Sequence, residues 1–164
     1  MKKILVTCFA LCAIFVQSFA TPLSQLFTTS TTVSYFLSFE KLVINDDFNV
    51  ILQEGTAKEF VVSGNEKDID KLQWTIKNGT LTLGVKNGTL KEKITLLVTV
   101  GSLKEIEVNS YASLTNIGNL SNPLRVQVNN SCNIALSSLH PIVIAGVAAS
   151  EIEFKKKSNN IIIQ

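Results

Sequence analysis

The sequence predicts an all-β protein, a right-handed parallel β-helix or β-roll-like solenoid preceded by β-hairpins and one short helix. Three observations lead to that class. From Phe39 onward apolar and polar residues alternate at period two, with β-branched residues throughout. Asn-Gly dipeptides punctuate the first half of that stretch. From Leu103 the chain repeats itself at intervals of about twenty residues.

The N-terminus reads as an address and not as part of the fold. Met1-Lys2-Lys3 is a short positive start, Ile4 to Val16 is an apolar run of 13 residues, and Ser18-Phe19-Ala20 carries small residues where a signal peptidase cuts. The run is shorter than the ~20 apolar residues that span a bilayer. Residues 1–20 are therefore expected to be a signal peptide, and Thr21 at the cut leaves no N-terminal Cys for a lipid anchor. Cleavage removes Lys2 and Lys3, so the formal charge of +2 falls to 13 basic against 13 acidic residues. A neutral chain with a single Arg lacks the basic stripe that nucleic-acid binding needs. It also keeps only Cys132 of its three cysteines, and so has no internal disulfide. Without a Lys, Arg or His beside it in sequence, Cys132 reads as a small residue packed in a bend.

Residues 21–38 are rich in Ser and Thr and read as a leader or linker, with an edge strand at Val33–Leu37. Leu42 and Ile44 alternate, as do Phe48, Val50 and Leu52, and Phe60-Val61-Val62 is a short buried run. The charged segment Asn65 to Leu72 places Ile69 and Leu72 at i and i+3, which predicts a short helix with Asn65 as its N-cap. Trp74-x-Ile76 and Leu81-x-Leu83 flank Asn78-Gly79, which supplies the two positive-φ positions of a type I′ hairpin turn. Asn87-Gly88 repeats the device, and Ile94, Leu96, Val98 and Val100 form the next strand. Both Asn-Gly-Thr triplets also match the glycosylation sequon, but turn geometry accounts for the same residues.

In the repeat region Ile106-x-Val108 leads into Asn109-Ser110-Tyr111-Ala112-Ser113-Leu114. Twenty residues on, Val126-x-Val128 leads into Asn129-Asn130-Ser131-Cys132-Asn133-Ile134, and eighteen further on comes Ile144-x-Gly146. Ile161 and Ile163 follow Ile142 and Ile144 by nineteen. Each unit is a strand, a bend of small residues and a second strand, joined by turns at 119–123 and 137–141. Such units bury their apolar faces only against neighbours, so stacked rungs are expected, about 4.8 Å apart. An antiparallel sandwich with coincident spacing is the alternative.

Several of these segments resemble a known family. Phe48-Asn-Val-Ile-Leu-Gln-Glu-Gly55 is similar to the opening strand and turn of the bacterial "putative auto-transporter adhesin, head GIN domain" family. Lys77-Asn-Gly-Thr-Leu-Thr-Leu83 resembles its middle hairpin, and Ile94–Val100 with Ser102-Leu-Lys-Glu-Ile-Glu-Val108 resembles the strand pair before its repeats. The likeness covers residues 39–164. It implies a right-handed β-helix-like fold and an envelope or surface location, and it names no ligand. Where the family has Ser-Gly-Ser-Gly-Asp-like bends, this chain has Asn109-Ser-Tyr-Ala-Ser113.

Catalytic chemistry finds little support. The lone His140 stands in a turn, so no nucleophile–base triad can be assembled, and one His with one Cys makes no zinc site. Asn45-Asp46-Asp47 matches no calcium-loop spacing and reads as a polar connection. Glu105 and Glu107 share one strand face about 7 Å apart, within the ~5–9.5 Å that glycosidases use, and Glu151 and Glu153 do the same. In the proposed register, however, Arg125 stacks above Glu105 and Gln127 above Glu107, and a surface ion pair is the simpler account.

The third repeat is more suggestive. Ile142, Ile144 and Gly146 should face inward, which leaves Val143, Ala145 and Val147 on an outer face that turns apolar. Either the leader or a partner would cover it. Ile161 and Ile163 form an open pairing edge beside it, with Lys155-Lys156-Lys157 as a charged guard. The expectation is an exported, non-enzymatic module of the cell envelope, in the periplasm or at the surface, without cofactor or metal. Its partner surface is Val143, Ala145, Val147, Ile161 and Ile163. The partners expected there are an envelope protein or polysaccharide, or a second copy through the C-terminal rung, with no nucleic acid and no transmembrane segment after cleavage. The alternatives are a polysaccharide-acting enzyme using the paired carboxylates, or a subunit of an envelope complex.

Overall fold

A computed structural model describes residues 29–35 and 38–146, with the backbone of two further strands at 153–154 and 161–163. The expected signal segment, Val147, Glu151 and Lys155-Lys156-Lys157 lie outside the described residues. The elements run β1 (Thr29–Ser34), β2 (Lys41–Ile44), β3 (Asn49–Glu54), β4 (Glu59–Gly64), α1 (Glu66–Ile69), β5 (Leu72–Lys77), β6 (Thr80–Val85) and β7 (Thr95–Val100). The second half adds β8 (Glu105–Val108), β9 (Ser113–Ile117), β10 (Leu124–Val128), β11 (Asn133–Ala135), β12 (Ile142–Gly146), β13 (Glu153–Phe154) and β14 (Ile161–Ile163).

Among the described residues these strands form two seven-stranded mixed sheets and no closed barrel. Sheet A has the order β1-β4-β7-β3-β9-β11-β13, and sheet B the order β14-β12-β10-β8-β2-β6-β5. From β8 onward successive strands alternate between the sheets, and each pairs in parallel with its counterpart one repeat away. Ile106, Val126, Ile144 and Ile163 are register partners across β8, β10, β12 and β14. The intervals of twenty, eighteen and nineteen residues read from the sequence are those of the ladder.

Period-two alternation sends one face of every strand into a shared interior. Leu81, Leu42, Ile106, Val126 and Ile144 form one buried row across sheet B, and Val62, Leu96, Val50, Leu114 and Ile134 face it from sheet A. Full burial of such side chains is worth roughly 1.5–3 kcal/mol each. The bends between rungs also turn a residue inward: Phe48, Ala112 and Cys132 are all buried and each directly precedes a sheet-A strand. At the β5 edge Trp74 meets buried Phe60 edge-on, with ring centroids 5.5 Å apart.

The first half pairs differently from a run of hairpins. The type I′ turn is present, with Asn78 at φ 51° and Gly79 at φ 71° joining β5 to β6. Asn65 caps α1, accepting from the Lys67 backbone N–H at 3.0 Å. Asn87-Gly88, in contrast, makes no two-residue hairpin. It lies in the crossing 86–94, which carries the chain from sheet B to sheet A. Buried Asp68 pins this crossing by accepting from the N–H groups of Lys91 and Glu92 at 3.2 and 3.1 Å, while Lys71 pairs with it at 2.8 Å. The Lys71 contact, then these N–H bonds, hold its carboxyl below the usual range.

The larger difference concerns β2 and β3. They sit in the middle of the two sheets, parallel to neighbours on both sides. Leu42 is registered with Leu81 and Ile106, and Val50 with Leu96 and Leu114. Residues 41–52 thus form a rung of the repeat ladder itself. The predicted edge strand also lies earlier than expected. It spans Thr29–Ser34 and pairs antiparallel with β4 at the edge of sheet A opposite β13, so this part of the leader does not cover Val143. Gly146, expected to face inward, is registered with buried Val128 but is itself exposed at the end of β12, and the Val128 carbonyl oxygen occupies the direction a Cβ would take.

Candidate functional site

Residues pointing away from the core on sheet B form a grid of three rows across six strands. The first row is Lys77, Thr80, Lys41, Glu105, Arg125 and Val143, and the second is Thr75, Thr82, Val43, Glu107, Gln127 and Ala145. The third continues the pattern through Gln73, Gly84, Asn45, Asn109 and Asn129. Strand spacing of about 4.8 Å sets the pitch along each row.

Charge is concentrated at the centre of the grid and is ion-paired there. Lys41 Nζ lies 2.9 Å from Glu105 Oε1 and 2.8 Å from Glu107 Oε2, so one ammonium bridges two carboxylates and the trio keeps one negative charge in excess. Its hydrogen bond holds the Glu107 carboxyl below its usual 4.5, and the two carboxylates, Glu107 first, hold Lys41 above its usual 10.5. A glycosidase acid needs its pKa raised, so the lowered Glu107 fits only the base or nucleophile of such a pair. Glu151 lies outside the described residues, so the second carboxylate pair adds nothing to that reading.

Beside the charges runs a ladder of amides. Asn109 Nδ2 donates to Asn45 Oδ1 at 2.9 Å, Asn129 Nδ2 donates to Asn109 Oδ1 at 2.7 Å, and Gln127 Nε2 donates to Asn129 Oδ1 at 3.2 Å. Stacked amides of this kind fix strand register by bonding the same residue on successive rungs. The neighbouring acids serve the turns: Asp46 Oδ2 accepts from Val85 N–H at 2.8 Å and Asp47 Oδ1 from Tyr111 N–H at 2.9 Å. That accounts for Asn45-Asp46-Asp47 without a cation, and the described residues hold no group of three ligating side chains.

Arg125 was expected to pair with Glu105. It is registered beside Glu105 but Lys41 has taken that carboxylate from the other flank, and the exposed guanidinium makes no salt bridge among the described residues. Its other neighbour is Val143, half-buried like Ala145 in the next row. The grid therefore passes from an ion-paired centre through a cation without a salt bridge to an apolar margin. Of the other residues expected at this surface, Ile161 and Ile163 belong to β14 and are registered with Ile142 and Ile144, which puts Ile162 beside Val143. His140 is exposed in its turn, and Cys132 is buried, its thiol pushed up to about 11 by burial.

Lys41 was missed as the partner of the carboxylates. The signal was available: Lys41-Leu-Val-Ile-Asn45, Glu105-Ile-Glu-Val-Asn109 and Arg125-Val-Gln-Val-Asn129 share one outward–inward pattern ending in Asn. Only the long gap between the first and second copies hid the relation.

The fold and face together define a two-sheet, all-β repeat module with a laddered polar surface. Residues 38–162 match the family model described as "Putative auto-transporter adhesin, head GIN domain", and the chain belongs to that family. Among solved structures it is similar to a putative adhesin from Parabacteroides merdae, with TM-score 0.57, 12% identity, and coverage of 83% of this chain and 55% of that one. A putative adhesin from Bacteroides fragilis gives 0.58, 15%, 82% and 73%. A putative lipid binding protein from Parabacteroides distasonis gives 0.59, 16%, 84% and 60%. At these identities the likeness is one of fold, and the chain spans little more than half of the first of these proteins. No curated protein matches the sequence. No helix among the described residues is long and apolar enough to cross a membrane.

Proposed function

We propose that this protein is an exported, non-enzymatic, adhesin-like binding module of the bacterial envelope. Its rungs coil as a right-handed β-solenoid, and the outer face of sheet B meets the partner. The observation that carries this reading is the position of Arg125. The chain's only Arg stands exposed, without a salt bridge among the described residues, beside a carboxylate that Lys41 already contacts, and next to half-buried Val143. Cation and aliphatic surface are thus both left to an outside group, as at the rim and core of an interface. The charged N-terminal start, the 13-residue apolar run and the small residues at 18 and 20 support export. Family membership supports a surface location.

The test is retention on purified cell envelopes together with a turnover assay on the envelope polysaccharides. The protein is expected to sediment with the envelopes and to leave polymer length unchanged. Failure to sediment would overturn the binding role. Depolymerisation lost in Glu107→Gln would replace it with an enzyme.

A further inference from the structure

The grid on sheet B has a cleft at its other end. Where β2, β6 and β5 lie side by side, an open depression of about 300 Å³ is lined by Asn45, Asp46, Gln73, Thr75, Thr82 and Gly84. Gly84 opens it. It occupies the third outward row between Gln73 and Asn45, where every described neighbour carries a side chain.

The backbone does not require glycine there. The residue lies within a strand, its φ is not positive, and an added Cβ would stand 3.5 Å from Asp46 Oδ2 and 3.9 Å from Asn45 Cβ, in ordinary contact. Glycine inside a strand weakens it relative to residues with a side chain. What glycine supplies at this position is the space itself.

Much of the lining is unspent, although Asn45 Oδ1 accepts from Asn109. The Gln73 amide, the Thr75 and Thr82 hydroxyls and Asp46 Oδ1 make no hydrogen bond among the described residues, while Asp46 Oδ2 is anchored by Val85 N–H at 2.8 Å. Two hydroxyls, an amide and a fixed carboxylate oxygen offer donors and acceptors to a group that has both. No cation lines the cleft, and the Asp46 charge disfavours an anion. Trp74 also borders the cleft but alternates with exposed Gln73 and Thr75 along β5, and its ring makes a T-shaped contact with buried Phe60. Recognition here is by hydrogen bonding, and the matching chemistry is vicinal hydroxyls.

From the cleft the third row continues as the amide ladder Asn45–Asn109–Asn129, one amide per strand. A linear polymer with one ring in the cleft would meet a further amide on each following strand. We infer that the outer face of sheet B binds a neutral glycan, with one sugar residue seated over Gly84 among Gln73, Thr75, Thr82 and Asp46 and the chain laid along the asparagine ladder. This rests on the reading of that face as the binding surface and names its ligand class.

Affinity electrophoresis of the full-length purified protein, in gels cast with a neutral glucan, mannan or galactan and with polygalacturonate as the acidic counterpart, tests it. Retardation by at least one neutral polymer and none by polygalacturonate is expected. Gly84→Val, which fills the cleft, should weaken retardation about tenfold or more with no loss of thermal stability. Thr75→Ala with Gln73→Ala, both exposed, should weaken it without touching the core. No retardation by any neutral polymer overturns the inference, as does retardation by polygalacturonate alone or undiminished retardation in both variants. If the neutral gels are silent while envelope retention is lost in Arg125→Gln/Val143→Glu, the glycan assignment fails and the binding face stands. If envelope retention survives Arg125→Gln/Val143→Glu, the face itself is wrong.

Discussion

Lys41 Nζ lies 2.8 Å from Glu107 Oε2, on neighbouring parallel strands that are far apart in sequence. This contact, with its twin to Glu105, ties the N-terminal rung to the repeats. It also sets one positive charge between two adjacent carboxylates that would otherwise repel more strongly. Both partners are partly exposed, so replacing Lys41 with Met should cost only about 1 kcal/mol in denaturant unfolding at neutral pH. The sign of the pH dependence follows from the shifts. Glu107 is lowered from 4.5, so its contribution is present above that value and is lost as pH falls through its folded pKa. Lys41 is raised from 10.5, so its contribution is complete below that pH and is lost as pH rises through its own folded value. Lys41→Met should therefore match the wild type more closely in strong acid than at neutrality.

Gly146 ends β12 at φ 143°, and a Cβ built there would overlap the Val128 carbonyl oxygen. The obstacle is backbone, which cannot swing aside as a side chain would. Gly146→Ala should destabilise by about 3 kcal/mol and loosen the β10–β12 pairing. Gly79→Ala, with open space around its Cβ but φ 71°, should cost only about 1–2 kcal/mol. Thermal melts of the two variants measure the difference.

Asn116 occupies a buried position in the row of Leu52. Its amide donates to the Ser137 carbonyl at 2.9 Å and accepts from the Ser137 N–H at 2.8 Å, imitating a backbone partner for the turn of the next rung. Asn116→Ala leaves the Ser137 N–H unpaired, its carbonyl keeping the Leu120 N–H at 3.0 Å, and should cost about 1–3 kcal/mol. Hydrogen exchange at Ser137 should accelerate in the same variant.

Much of the second half of the fold was legible because its determinants are local. The spacing of Ile106, Val126, Ile144 and Ile163 carries the register directly, and Asn78-Gly79 carries its turn. The rung at 41–52 was not legible as such. Its apolar alternation is equally that of a hairpin strand, and its partners at 105–108 and 113–117 come only after β4, α1 and the β5–β6 hairpin have intervened. The same separation concealed the Lys41 contacts, so Arg125 was assigned a partner that Lys41 holds. The cleft was invisible for a related reason, since it needs Asn45 and Gly84 side by side.

Cys132 is buried at a bend, in the place that Ala112 and Phe48 take on other rungs, and burial pushes its thiol up to about 11. Thiolate is the reactive form, so the folded protein should resist aromatic disulfide reagents at mildly alkaline pH. Full titration of one thiol is expected once the protein without its first twenty residues is unfolded in denaturant. Rapid labelling of the folded protein would place this bend in the open.

The most direct measurement compares the two outer faces in one assay. Retention on purified envelopes should be measured for Arg125→Gln/Val143→Glu on sheet B and for Thr95→Glu/Thr115→Glu on the outward positions of sheet A, with folding verified for each. Loss of retention with the sheet B pair alone is the predicted result. Equal retention of both variants, or loss confined to the sheet A pair, would contradict the assignment of the sheet B face as the binding surface.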